Sequence, residues 1–130
     1  MNTVKHKDHD TLSIAENYYQ SMLQEDFDRM ASYLNPNVHF IGPLAEVQGA
    51  DSVVSAAKNL CKTLINIKIR SRFSSENQVM LAYDFIFPAP IGCLRAAVLM
   101  EFTHRLISKI ELFFDSKPLE AISGEIFLEK

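Results

Sequence analysis

Between residues 65 and 114 the chain reads as four strand-length runs joined by turns too short to hold a helix, and no other feature constrains its fold as strongly. Ile65, Ile67 and Ile69 alternate with Asn66, Lys68 and Arg70, the period-two signature of a strand with one wet face. SSEN (74–77) turns the chain into residues 78–87, which are apolar at almost every position, as in a strand covered on both sides. PAPIG (88–92) breaks that run. Residues 94–102 follow, Thr103, His104 and Arg105 turn the chain again, and residues 106–114 form the last run before Asp115-Ser116-Lys117-Pro118. Successive strands with such short connections are expected to pair antiparallel.

Ahead of this block the spacing is helical. A first helix is expected from Asp10 or Thr11, with Ser13 and Glu16 spaced as a capping box and Leu12, Ala15, Tyr19, Met22 and Leu23 on one side. Asp26 can cap a short second helix whose inner stripe is Phe27, Met30 and Leu34, and Asn35-Pro36 stops it. A strand over 37–41 ends at Gly42-Pro43. Asp51 or Ser52 then caps a third helix carrying Val53, Ala57, Leu60 and Leu64. Residues 119–122 form a last helical turn. This order gives an α+β domain over 10–122, with a loose tail over 1–9 and a C-terminal tail over 123–130. The helices cover one face of the sheet, and an apolar second face calls for another cover, which a second subunit would supply.

A chain of 130 residues makes one domain that buries roughly two-thirds of its unfolded surface. The formal net charge is -3 and no Lys/Arg cluster could track a phosphate backbone, which argues against nucleic acid as a partner. The apolar runs are too short to cross a bilayer, so no membrane role is expected. The start, MNTVKHKDHD, lacks the apolar centre of a signal peptide, and a cytoplasmic protein is expected. Cys61 and Cys93 fit that compartment as structural thiols. No metal-ligand spacing, glycine-rich phosphate loop or G-x-S-x-G elbow occurs, so no cofactor is implied.

Four pieces in order carry a resemblance: EDFDRMASYLNPNVHF, the Gly42-Pro43 turn, QGADSVVSAAKNL and ISKIELFFDSKPL. In that arrangement the chain resembles the NTF2-like superfamily, which includes the SnoaL-like polyketide cyclases and the ketosteroid isomerases. The resemblance implies a cone: a curved antiparallel sheet wrapped around the N-terminal helices, enclosing a pocket, in a chain that dimerises through the sheet. Residue by residue it implies less. The general base of the ketosteroid isomerases falls at Gly42 and their second aspartate near Val98, neither of which can move a proton or donate a hydrogen bond. Their oxyanion tyrosine falls at Tyr19. The standard isomerase mechanism is therefore not expected.

Asp84 is the candidate replacement acid, because it interrupts an apolar strand. Two orientations are open. If Met80, Ala82, Asp84 and Ile86 face inward, Asp84 enters the pocket, desolvation raises its pKa, and it pairs with Tyr19 to move a proton next to a carbonyl. If they face outward, Asp84 pairs with Arg95 or Arg70 on a neighbouring strand. His39 is expected at the surface. Phe40, Val98, Met100, Phe102, Leu112 and Phe114 share the inward phase, with Tyr33 at the rim; they either line an apolar cavity or fill it. Three functions follow: a binder of a small, largely apolar molecule of sterol, polyketide or fatty type; an isomerase, cyclase or dehydratase using Asp84 and Tyr19; or a protein interaction module.

Overall fold

The computed structural model describes residues 3–122. Helices α1 (Thr3–Leu23) and α2 (Phe27–Ser32) lead into strands β1 (Leu34–Ile41) and β2 (Glu46–Gln48), and α3 (Ala50–Cys61) follows. Strands β3 (Asn66–Ser75), β4 (Gln78–Ile86), β5 (Cys93–Thr103) and β6 (Leu106–Phe114) come next, and a 3-10 helix, Lys117–Ile122, ends the described chain. The expected C-terminal tail, 123–130, lies outside the described residues.

The helical starts differ from expectation. Helix α1 begins at Thr3, so most of the expected loose tail over 1–9 is helix and Ser13 lies inside it rather than at its cap. The stretch before Asp10 holds neither proline nor glycine, and extending an existing helix fixes few further dihedrals for each bond gained. Helix α3 starts from Gly49 rather than from Asp51 or Ser52; φ of 96° there is a conformation in which glycine has no Cβ penalty. Asp26 does cap α2, its carboxylate accepting from the Arg29 amide at 3.2 Å.

The strands form one sheet in the order β2-β1-β6-β5-β4-β3. Every neighbouring pair is antiparallel except β1 and β6, which run parallel, so the sheet is mixed rather than purely antiparallel. β1 with β2, and β3 to β6, are joined by short turns that force alternating direction, whereas β1 and β6 lie far apart in the chain. β1 enters from across α3 and carries no such constraint toward β6. The short β2 was not expected; a hydrogen bond from the Gly42 amide to the Ala45 carbonyl, 2.9 Å, closes the turn that lays it beside β1.

Helices α1 and α3 pack on one face of the sheet, and the core lies between them. β5 sends Ala96, Val98, Met100 and Phe102 to that face, where all four are buried. Direct cross-strand partners share a face. Tyr83 stands opposite Ala96, Leu81 opposite Val98 and Val79 opposite Met100, so the odd-numbered residues of β4 point inward. The even set, Asp84 included, points outward. This overturns the inward orientation of Met80, Ala82, Asp84 and Ile86.

Candidate functional site

The space between the helices and the sheet holds a pocket of about 70 Å³. Helix α1 contributes Tyr18, Tyr19 and Met22, one turn of side chains that its amphipathic spacing turns toward the sheet. Helix α3 contributes Val53, Ala57 and Leu60. Phe40 and Val47, directly paired across β1 and β2, form one wall with Leu44 of the intervening turn. Tyr83 and Phe85 of β4, Leu112 and Phe114 of β6, and Leu119 complete it. Among the described residues that line it, none is an aspartate, glutamate, histidine, lysine or arginine.

The polar points in this lining are phenolic. The Tyr83 hydroxyl donates to the Tyr19 hydroxyl at 2.8 Å, tying β4 to α1. The rings meet edge to face, Tyr18 against Tyr19 and Tyr19 against Tyr83, each with centroids 4.9 Å apart. Burial is the main cause that raises the pKa of all three tyrosines above the ordinary phenol value, and for Tyr83 it outweighs a lowering by the bond with Tyr19. They therefore stay neutral and act as O–H donors. A hydroxyl pair holds one proton between its oxygens and leaves the other O–H to the pocket; where Tyr83 is the donor, that O–H belongs to Tyr19 and is strengthened by the incoming bond. Near Tyr18 lies Cys61, whose thiol bonds the Met22 carbonyl at 3.4 Å and is pushed up to about 11 by desolvation and by Glu25.

Of the expected residues, the structure brings Tyr19, Phe40, Leu112 and Phe114 to the pocket. Val98, Met100 and Phe102 face inward but are packed into the core and line no part of it. Tyr33 is not at the rim: it caps the C-terminus of α2, and its hydroxyl accepts from Arg29 Nε at 3.0 Å in an exposed bond. Asp84 is bonded to Arg70 Nε at 3.0 Å on the opposite face of the sheet, so it forms no pair with Tyr19. His39 faces outward as expected and bonds Glu46 at 2.6 Å. Tyr18, Met22, Tyr83 and Phe85 were missed. The last two lie on the β4 phase opposite Asp84, whose facing alternation alone left open, and Tyr18 sits off the main stripe of α1.

Gly42, where the family's base would stand, is close to the pocket. A Cβ added there would meet Phe40 Cε1 at 3.1 Å, so Phe40 occupies the space that a side chain would need.

No family model matches the chain, and no curated protein does. Solved structures do. An NTF2-like protein of unknown function from Cytophaga hutchinsonii is similar at 21% identity and TM-score 0.71, over 84% of this chain and 93% of that one. A ketosteroid isomerase-like protein from Kribbella flavida aligns at 12% identity and TM-score 0.73, over 84% and 80%. An LEH-like epoxide hydrolase from M. tuberculosis aligns at 14% identity and TM-score 0.72, over 83% and 84%. At these identities the likeness speaks for architecture, and the chain has the NTF2-like fold.

Proposed function

We propose that the protein binds a small, neutral, largely apolar molecule and hydrogen-bonds one acceptor oxygen of it through Tyr19. The observation that carries this reading is the Tyr83–Tyr19 hydroxyl pair set in a hydrocarbon wall. A charged ligand would meet no counter-charge among the described lining residues, at a steep desolvation cost. A pocket of about 70 Å³ is half the roughly 150 Å³ that accommodates benzene in an engineered cavity, so a sterol does not fit this conformation. A short chain fits, and a compact ring enters with its carbonyl end while the rest of it stands in the open mouth of the pocket. Without a carboxylate or imidazole in the lining, the pocket favours holding a carbonyl over abstracting a proton beside it.

The test is calorimetric titration with cyclohexanone. Wild-type protein should bind it, and Tyr19→Phe should weaken binding about tenfold, the worth of one good hydrogen bond. Equal affinity in both proteins would remove Tyr19 from the reading.

A second reading concerns the outer face of the sheet, which we propose pairs with a second copy of the chain. Phe73 is 65% exposed and Phe113 49%, and the register sets Phe73, Met80 and Leu99 in one row and Ala82, Ala97 and Phe113 in the next. Exposed apolar patches of this kind mark interfaces. Lys68, Arg70 and Arg95 stand toward one end of the face around Asp84, and Glu101, Lys109 and Glu111 toward the other, so charges of both signs flank the apolar rows. A two-fold axis in the plane of the interface would lay the apolar rows of one copy over those of the other, with the charged residues at the margins. Sedimentation should find a dimer that Phe113→Asp dissociates; a monomeric wild type at micromolar concentration would sink this reading.

A further inference from the structure

Tyr18 is the buried polar group that the proposed function leaves unused. Its side chain is 3% exposed and lines the same pocket as Tyr19 and Tyr83. Tyr19 and Tyr83 bond each other, but among the described residues the Tyr18 hydroxyl has no hydrogen-bond partner. Its nearest thiol, Cys61, is spent on the Met22 carbonyl. A buried phenol with nothing to bond pays for desolvation without return, whereas phenylalanine would fill the same space at no such cost. The hydroxyl makes physical sense when something that enters the pocket accepts from it.

We infer that Tyr18 is a second donor point of the pocket, and that the molecule it takes carries two acceptor oxygens on one compact, uncharged frame, as a cyclic diketone does. This rests on the pocket-binding reading and narrows it. The two donors come from adjacent residues of α1 that line the same pocket and whose rings touch edge to face, with centroids 4.9 Å apart, so both belong to one wall. Burial keeps both hydroxyls protonated, so each offers a proton rather than a charge. Neutral acceptors match that offer: ketone, ester and lactone oxygens bring no charge into an apolar wall.

The test uses the whole chain, wild type and Tyr18→Phe, with two probes of nearly equal shape, cyclohexanone and 1,4-cyclohexanedione. Wild-type protein should bind the dione about tenfold more tightly than the monoketone, and Tyr18→Phe should erase that preference. Ligand-free Tyr18→Phe should also melt a few degrees higher than wild type, because an unpaired buried hydroxyl has been removed. A lower melting temperature overturns the inference, since it means the hydroxyl is satisfied in the empty protein, by water or otherwise. A dione preference that is absent from wild type, or that survives in Tyr18→Phe, overturns it as well. In each of those cases wild-type binding of cyclohexanone leaves the wider pocket reading standing. Failure of wild type to bind either probe overturns both.

Discussion

Tyr83 and Tyr19 meet hydroxyl to hydroxyl at 2.8 Å although they stand 64 residues apart, one on the fourth strand and the other on the first helix. Their bond is both a structural tie and the origin of a directed donor. Together with the Glu16–Arg72 and Asp10–Arg105 ion pairs, the bond fixes which turn of α1 faces β4.

Separating those two roles is a matter of double-mutant analysis. Tyr83→Phe and Tyr19→Phe should each cost about 1 kcal/mol in urea unfolding, with the double variant costing much less than the sum. Tyr83→Phe should also weaken cyclohexanone binding several-fold while leaving Tyr19 in place, because the incoming bond that polarises Tyr19 is gone. Additive costs in the double variant would show that the two hydroxyls do not depend on each other.

Residues with the same inward phase should respond differently according to whether they pack or line. Met100 is fully buried and Phe114 is only half-buried at the pocket wall. Met100→Ala should cost about 2–5 kcal/mol by leaving a hole in closely packed surroundings. Phe114→Ala should cost less than full burial of a phenylalanine implies and should enlarge the pocket, since one side of the ring already has no neighbour. Chemical unfolding of the two variants decides the matter, and equal losses would mean that the pocket is part of the core.

The sequence was most legible where alternation was strict. β3 with Ile67 and Ile69 inward, β5 with Val98 and Met100 inward, and β6 with Phe113 outward all follow the period of two. β4 has apolar residues on both phases, so alternation alone left two choices open, and the structure takes the one that pairs Asp84 with Arg70. A local signal favoured the same choice. Val79, Leu81, Tyr83, Phe85 and Phe87 are uniformly bulky, whereas the opposite set holds Ala82 and Asp84. A shift of one residue in phase decides whether Asp84 or Tyr83 enters the pocket. The Tyr83–Tyr19 bond was beyond reach for a further reason: it depends on the azimuth of α1 against the sheet, which no single strand or helix encodes.

Asp84 now serves as a control. It bonds Arg70 on the outer face, with the arginine side chain 40% exposed. Asp84→Asn keeps an acceptor for Arg70, which solvent still reaches, but the Asp84 side chain is only 12% exposed, so the loss should be about 1–3 kcal/mol. Cyclohexanone binding should be unchanged, because the sheet separates Asp84 from the pocket. A large drop in affinity in calorimetry would contradict the facing assigned to β4.

Alkaline pH should loosen the fold through Cys61. In the unfolded chain its thiol ionises near the ordinary value of 9, whereas the folded protein holds the proton up to about 11. Between those values the unfolded state binds fewer protons, so stability falls as pH rises; the contribution is whole below 9. The buried tyrosines act in the same direction from a higher starting point. Melting temperatures measured from pH 8 to 11 should decline across that window, and Cys61→Ala should decline less steeply. A parallel decline in the two proteins would assign the whole effect to the phenols. The exposed Cys93 offers a contrast, and should react with a thiol reagent well before Cys61.

Gly42 tests how far the pocket is from chemistry. Its backbone does not need glycine, for its φ lies outside the left-handed range; what a side chain there meets is the Phe40 ring, with Cε1 at 3.1 Å. Phe40 lines the pocket, so a side chain at position 42 grows along the pocket wall once the ring yields by a few tenths of an ångström. Gly42→Ala should therefore cost about 1 kcal/mol, the low end for overpacking. Gly42→Asp should add a carboxyl against an apolar surface, where desolvation lifts its pKa above the ordinary value of about 3.9. With Tyr19 holding the carbonyl oxygen, such a carboxylate is placed to exchange protons at the adjacent carbon. In heavy water, cyclohexanone should gain deuterium next to its carbonyl faster with Gly42→Asp than with wild type, and the gain should vanish in Gly42→Asp with Tyr19→Phe. Exchange that ignores Tyr19 would mean that the new acid works from solvent and that the pocket never held the ketone.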